Sequence, residues 1–453
     1  MPSPTPPSLW PDWTRRLVAT LGILGLTGIG FGVGYLIADD SDDDTVVSPA
    51  PPVIVESAPQ PEAAEEIGFP EFATRNTTRV GGADAIANGA GVALASYPTL
   101  GGVGGPDAVI VAPSGSWQEA LAATPLTADP IAAPILLSDP REVPQLTAEA
   151  FAGLAPQGIE DAEGVQAIAI GDVAVPDDLE TLTIGAPGDD PAEIAKQVDA
   201  ERSRLSGEKD PGNILVVSSE AADLSMPAAA WAARSGDTIL FADGDEVPEP
   251  TLDVIAKHKN TPIYVLGDEG AISAKALEEL EKAGPSVTRI SNEADPVESS
   301  IEFARFVDGG FGWNINDPGH GFVIARSDRP LDASVGAPLS AGGKPGPLLV
   351  TDDGQTVPAA MQGFLSDTQP GFVDDPSRAL YNHIWLLGNT DALSVAFQAQ
   401  VDELTKLAPV SDETSGPEFG PVPGGTEEAP DPSGAGSDDE PEPKADGKDG
   451  GGG

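Results

Sequence analysis

The chain has 453 residues, 40% of them hydrophobic, with 53 Gly and 46 Pro and only 5% aromatic, enough apolar material for roughly two to four domains of closely packed helix and sheet. A formal net charge of −50 argues against nucleic acid as a partner, because binding it requires Lys and Arg to replace counterions on phosphate, and equally against a polybasic membrane patch. Cys is absent, which excludes disulfides, thiolate catalysis and Cys-ligated zinc.

Residues 17–38, LVATLGILGLTGIGFGVGYLIA, form 22 residues without a charge. At 1.5 Å per residue that is long enough to cross a hydrocarbon core of ~30 Å. Arg15 and Arg16 precede the run, Asp39, Asp40, Asp42, Asp43 and Asp44 follow it, and Trp10, Trp13 and Tyr35 stand near its ends. The run is longer than the apolar region of a cleaved leader, and Leu36-Ile37-Ala38 is a poor cleavage site. A single-pass membrane anchor is expected, with residues 1–16 in the cytoplasm and the bulk of the chain outside. Residues 39–71 are rich in Pro and acid and read as an extended stalk. Residues 409–453 are acidic, Pro- and Gly-rich, and cannot bury a core.

Between these segments, short apolar runs alternate with helical patterns. The runs are AVIVA (108–112), PILLS (134–138), AIAIG (167–171), ILVVS (214–218), TILFA (238–242), IYVLG (263–267), FVIA (322–325), LLVT (348–351) and IWLLG (384–388). Each is continuous rather than alternating, as in strands buried on both faces of a parallel sheet. Helical stretches such as PAEIAKQVDAERSRL (191–205) and ISAKALEELEKAG (272–284) separate them. The alternation predicts an α/β fold with parallel sheets.

The runs repeat at about 105 residues. AVIVA, ILVVS and FVIA each open a unit and lead into an Ala-rich helical stretch carrying an acid: SGSWQEALAATPLTA (114–128), SEAADLSMPAAAWAA (219–233) and SDRPLDASVGAPLSA (327–341). A second strand ending in Asp139, Asp243 or Asp352 follows. Then comes a strand–turn–helix element: IAIGDVAVP, PIYVLGDEGAIS and WLLGNTDALS. Its turns are Gly171-Asp172, Gly267-Asp268 and Gly388-Asn389, where Gly supplies the backbone angles that let a helix start at once. TLTIGAP (181–187) and VTRIS (287–291) lead into the next unit, and TRVGGADA (78–85) opens the first. The expected units are 72–186, 187–290 and 291–408. Their strand carboxyl ends form a rim, the usual ligand side of open α/β sheets.

This ordered set of motifs resembles the type 2 cell wall-binding repeat of Gram-positive surface proteins, which has an R-I-x-G-x-x-R opening, a D-A-L-A-A-A-P-L-A block, P-I-L-L-T and V-Y-I-L-G-G-x-x-A-I-S. The resemblance covers residues ~75–408. It implies Rossmann-like or Toprim-like units in a pseudo-threefold arrangement after the N-terminal transmembrane helix. It also implies non-covalent binding to an anionic wall polymer or a peptidoglycan-associated glycan. On that analogy Arg79 and Arg289, at matching positions, contact polymer, or else form ion pairs between units. This chain departs from the pattern in three ways. Ala85 stands where the family has Arg, unit two carries Asp223-Leu224-Ser225-Met226-Pro227, and the second Gly of the turn is Asp172, Asp268 or Asn389. These changes make the rim more negative, the reverse of what an anionic polymer requires.

The three histidines, His258 (solvated after a helix), His320 (in a loop) and His383 (before a strand), show no metal spacing, and no G-x-S-x-G or phosphate loop occurs. A binding protein is expected, not an enzyme. Glu119, Asp223 and Asp332 begin the Ala-rich helices and read either as dipole compensation or as ligand contacts. Trp117 reads as a sugar platform or an interface cap, and Trp231 as core. Asp139, Asp243 and Asp352 suit Ca²⁺ or Mg²⁺ bridging to polymer. The expected role is a membrane-to-wall tether. The alternative is an extracellular scaffold for a protein partner that keeps the fold without polymer binding.

Overall fold

Nine apolar runs cannot face water on either side, and all nine form strands. The computed structural model describes residues 70–410 and Gly68, apart from residues 100–103, 208–209 and 374. The membrane span expected over 17–38 and the tail beyond 410 lie outside the described residues. Among the described residues no helix is long and apolar enough to cross a membrane. Pro70–Ala73, at the end of the expected stalk, is instead a strand paired antiparallel with Thr77–Val80.

Three parallel sheets share one strand order. In the first, Ile135–Ser138, Val109–Pro113, Ala167–Ile170 and Thr181–Ile184 lie side by side. In the second the order is Thr238–Ala242, Ile214–Ser218, Ile263–Leu266 and Val287–Arg289. The third contains Leu348–Thr351, Gly321–Arg326 and His383–Leu387, and its fourth strand is Thr77–Val80 from the amino-terminal end of the fold. TRVGGADA therefore does not open the first sheet. It completes the third and closes the ring of units without a covalent link.

The helix after each fourth strand crosses to the next unit. Pro191–Ser206 follows the first sheet but packs on Thr238–Ala242 and on the helix Glu249–Lys257 of the second. Pro296–Arg305 likewise packs on the third unit, and Ala85–Ser96 on the first. The three crossings start alike, with the carboxylates of Asp84, Asp190 and Asp295 accepting backbone N–H bonds from Ala87, Ala192 and Val297.

The Ala-rich stretches meet at the centre of the ring, where one unit's helix packs on the next. Each is broken where Pro enters: Pro125, Pro227 and Pro338 start a second short helix in place of one continuous one. The third-strand element is also not uniform. Ser273 and Ser394 cap the helices Ala274–Ala283 and Val395–Thr405. The first unit forms no helix there, because residues 171–180 carry Pro176 and too few residues to build one before Thr181.

Candidate functional site

Parallel strands deliver every third-strand turn to one rim. Gly171, Gly267 and Gly388 there have φ of 64°, 130° and 110°, so the reversal depends on glycine. In the second and third units the residues after them serve the backbone. Asp268 accepts N–H bonds from Gly270 (3.1 Å) and Ala271 (3.0 Å), and Asn389 accepts from Asp391 and Ala392 (3.2 Å each). These are side-chain-closed turns, which explains why Asp and Asn are stable in place of a second Gly. Asp268→Ala is expected to cost about 1 kcal/mol in thermal denaturation and Asp268→Asn much less, with pelleting on cell walls unchanged in both.

Arg79 and Arg289 brace these turns. Arg79 is fully buried; its guanidinium donates to Gln398 Oε1 (3.1 Å) and to the carbonyls of Gly388 (2.8 Å), Asn389 (3.1 Å) and Ser394 (3.5 Å). Arg289, paired in register with Val265 as Arg79 is with Leu386, donates to Gly267 O and to Ile272 O (2.6 Å). Burial lowers its pKa, against the pull of Asp268 and Glu269. With no exposed surface Arg79 does not reach a polymer, contrary to that expectation, and the bonds described go to backbone carbonyls and an amide. The same position in the first unit is Thr183.

The helix-start acids are not equivalent. Glu119 is half-buried, with Oε2 in the space a side chain at Gly171 would need. Burial raises its pKa, and Asp172 and Asp189 add to the rise. Capping of that helix falls to Ser116, whose hydroxyl accepts from Glu119 N. Asp223 is half-buried and accepts from Leu224 N (2.9 Å). Asp332 is fully buried between Arg329 Nε (2.6 Å) and Asn88 Nδ2 (3.0 Å), the latter on the helix crossing from the third sheet to the first unit. Its pKa is raised, because burial outweighs the Arg329 charge. Asp332 therefore joins two units and lies, without accessible surface, beneath the rim recess.

Trp117 is half-buried, edge-on to Phe241 of the second unit (6.4 Å), and lines a rim cleft of about 390 Å³ with Asp84, Asp328 and Arg329. It caps the junction and keeps one open side. The proposed metal set is not brought together. Asp139 and Asp243 each accept from a serine hydroxyl, Ser114 and Ser219, on separate sheets, and Asp352 is exposed on a third. Among the described residues no three His, Asp or Glu side chains converge as metal ligands. At the rim, then, the acids stand apart, each tied into the backbone or a neighbouring side chain or held exposed, and the recess beside Trp117 combines the carboxylates of Asp84 and Asp328 with Arg329.

One cluster escaped the sequence. His258 is buried, not solvated: Nε2 lies 2.9 Å from Asp199 Oδ2 and Nδ1 lies 2.8 Å from Asp210 Oδ1. Asp199 also accepts from Thr238 Oγ1 (2.7 Å) and Lys257 Nζ (2.8 Å). Burial by itself raises the Asp199 pKa, but bonds from Lys257, His258 and Thr238 bring it below the ordinary value. The cluster pins the crossing helix Pro191–Ser206 to the second unit. Only the acid–base content of 199–210 and 257–258 hinted at it.

Residues 187–277 match the family model described as cell wall binding domain 2 (CWB2). Two solved structures, Cwp6 and Cwp8 from Clostridium difficile, match at a TM-score of 0.57 each, with 19% and 14% identity over 73% of this chain. The matches cover 48% and 52% of those chains, so this chain spans about half the length of the solved proteins it matches. No curated protein matches. The matched segment begins just after the fourth strand of the first sheet and ends in the helix that follows the Gly267 turn, so the sequence repeat is offset from the sheets. Residues 187–277 thus resemble a cell wall binding domain 2 unit, within a body that shares the fold of Cwp6 and Cwp8.

Proposed function

We propose that this is a surface protein that binds the cell wall non-covalently through the three-unit body and is held to the membrane by residues 17–38. The match of residues 187–277 to the cell wall binding domain 2 family carries the reading. The family is named for binding. Pelleting of the full chain with purified walls tests it. The expected result is co-sedimentation that is lost when anionic polymers are stripped from the walls. It should persist without calcium, because the rim carboxylates do not converge. Failure to pellet with intact walls would overturn the reading. The acidic rim favours a second one, a scaffold for a basic protein partner, in which walls are not bound and cross-linking captures that partner. Localisation is tested by accessibility: protease added to intact cells should cut after residue 39 and spare residues 1–16.

A further inference from the structure

The end of the ring opposite the rim holds a cavity of about 580 Å³, within the ~300–1,000 Å³ typical of small-molecule sites. The internal repeat shows what the same place looks like when filled. Three residues before the turn glycines, the third strands carry Ile168, Tyr264 and Trp385. Four residues after the helix-breaking prolines stand Asp129, Trp231 and Gly342. In the second unit these positions are sealed by rings: Tyr264 stacks on Phe311 at 3.6 Å, Phe311 lies 4.8 Å from Trp231, and Trp231 lies 5.4 Å from Trp313. All four side chains are buried. In the third unit Gly342 replaces the Trp231 ring, Trp385 is left half-buried, and the space is open.

The wall of that space is chemically selective. Trp385 and His383, edge to face at 5.3 Å, present aromatic surface together with Tyr97. Thr127 borders the cavity and is 2% exposed, with its hydroxyl buried behind the wall and without a hydrogen-bond partner. Ser96 borders the same wall, and its hydroxyl is likewise buried behind it. Lys344 and Arg234 line the cavity, and neither forms an ion pair with a described carboxylate. Arg234 lies 5.1 Å from the Trp313 ring and ends a helix, which already accounts for it. Lys344 donates to the Tyr381 carbonyl, and burial lowers its pKa. Asp129, exposed on the same wall, can accept sugar hydroxyls. Aromatic faces, one carboxylate and a cation together suit a pyranose ring that carries a negative substituent.

We propose that this basal cavity binds an anionic sugar residue, a pyranose bearing a carboxylate or phosphate, with its ring on Trp385 and its charge toward Lys344. As to the source of that sugar, the proposal rests on the wall-binding reading. An added Cβ on Gly342 meets nothing within 4 Å, and its φ of −115° suits any residue, so Gly342→Trp can place an indole where the second unit has one without disturbing the fold.

Calorimetric titration of the full chain with glucuronic acid, glucose 1-phosphate, glucose and inorganic phosphate tests the site. Glucuronic acid or glucose 1-phosphate should bind, with glucose and phosphate weaker. Gly342→Trp should weaken the anionic sugar about a hundredfold at an unchanged or higher melting temperature. Lys344→Gln should weaken it roughly tenfold and leave glucose unaffected. Equal binding by wild type and Gly342→Trp, or no binding of either anionic sugar, overturns the proposal. The two readings fail separately. If Gly342→Trp pellets with walls as wild type does, wall binding stands and the cavity is not its site. If wild type binds the sugars but not the walls, the cavity stands and the wall reading falls.

Discussion

Arg79→Ala is expected to lower stability by about 3–5 kcal/mol and the melting temperature by roughly 5 °C. The side chain is fully buried and satisfies the carbonyls of Gly388, Asn389 and Ser394 and the Gln398 amide at once. Its removal leaves those acceptors without a donor and opens a void where the amino-terminal strand meets the third sheet. Arg79→Lys should recover little, because a single ammonium cannot reproduce the planar fork. Arg289→Ala removes the same clamp from a half-exposed site and should cost about 1–2 kcal/mol. Limited proteolysis gives an independent readout: the Arg79 variant should be cut near Thr77–Val80 well before the rest unfolds. Equal costs at the two arginines would refute the seam argument.

The second large effect belongs to Asp199. Asp199→Asn at neutral pH is expected to cost about 2–4 kcal/mol, because Lys257 and the buried imidazole of His258 lose the shared carboxylate. Lys257 is 48% exposed and contributes the smaller part. The pH dependence has a definite sign. The folded-state pKa of Asp199 lies below its ordinary value of 3.8, so its stabilisation is present above that value and lost as the pH falls through the folded one. Chemical denaturation should therefore show wild type losing its advantage over Asp199→Asn below about pH 4. Asp332 works the other way. Its folded pKa is raised, so its contribution is full below 3.8 and lost as the pH rises through the folded value. Asp332→Asn should flatten that opposing slope, which distinguishes the two carboxylates in one experiment.

The strands were legible because a doubly buried parallel strand has no polar alternation to confuse with anything else. Ring closure was not, because TTRV before Gly-Gly carries the same local signal whether it starts one sheet or ends another. Only pairing between positions some three hundred residues apart separates the two. Arg79 and Arg289 stood out in sequence as a matched pair, and burial takes Arg79 out of reach of a polymer. An Arg at a strand's carboxyl end clamps a turn or meets a ligand depending on burial, which one sequence does not report. His258 read as solvated because Lys257 and Lys259 flank it, yet the helix it follows is drawn under Asp199 by a contact from another unit. The missing helix in the first unit was masked by IAIGDVAVP, which keeps the strand and glycine of its sister segments but has Pro176 where they have Ile272 and Leu393, and Thr181 follows too soon for a helix.

Ring closure also sets a timetable for the newborn chain. Thr77–Val80 is among the first strands to be synthesised, yet its parallel partner His383–Leu387 is made about three hundred residues later. At ~5–20 residues per second the early strand waits roughly 15–60 s with one edge unmatched. Its antiparallel neighbour Pro70–Ala73 covers the other edge during that interval. Truncation anywhere before Leu387 leaves the wait without end, so a prematurely terminated chain presents an open strand to its neighbours even when two of its three sheets are complete.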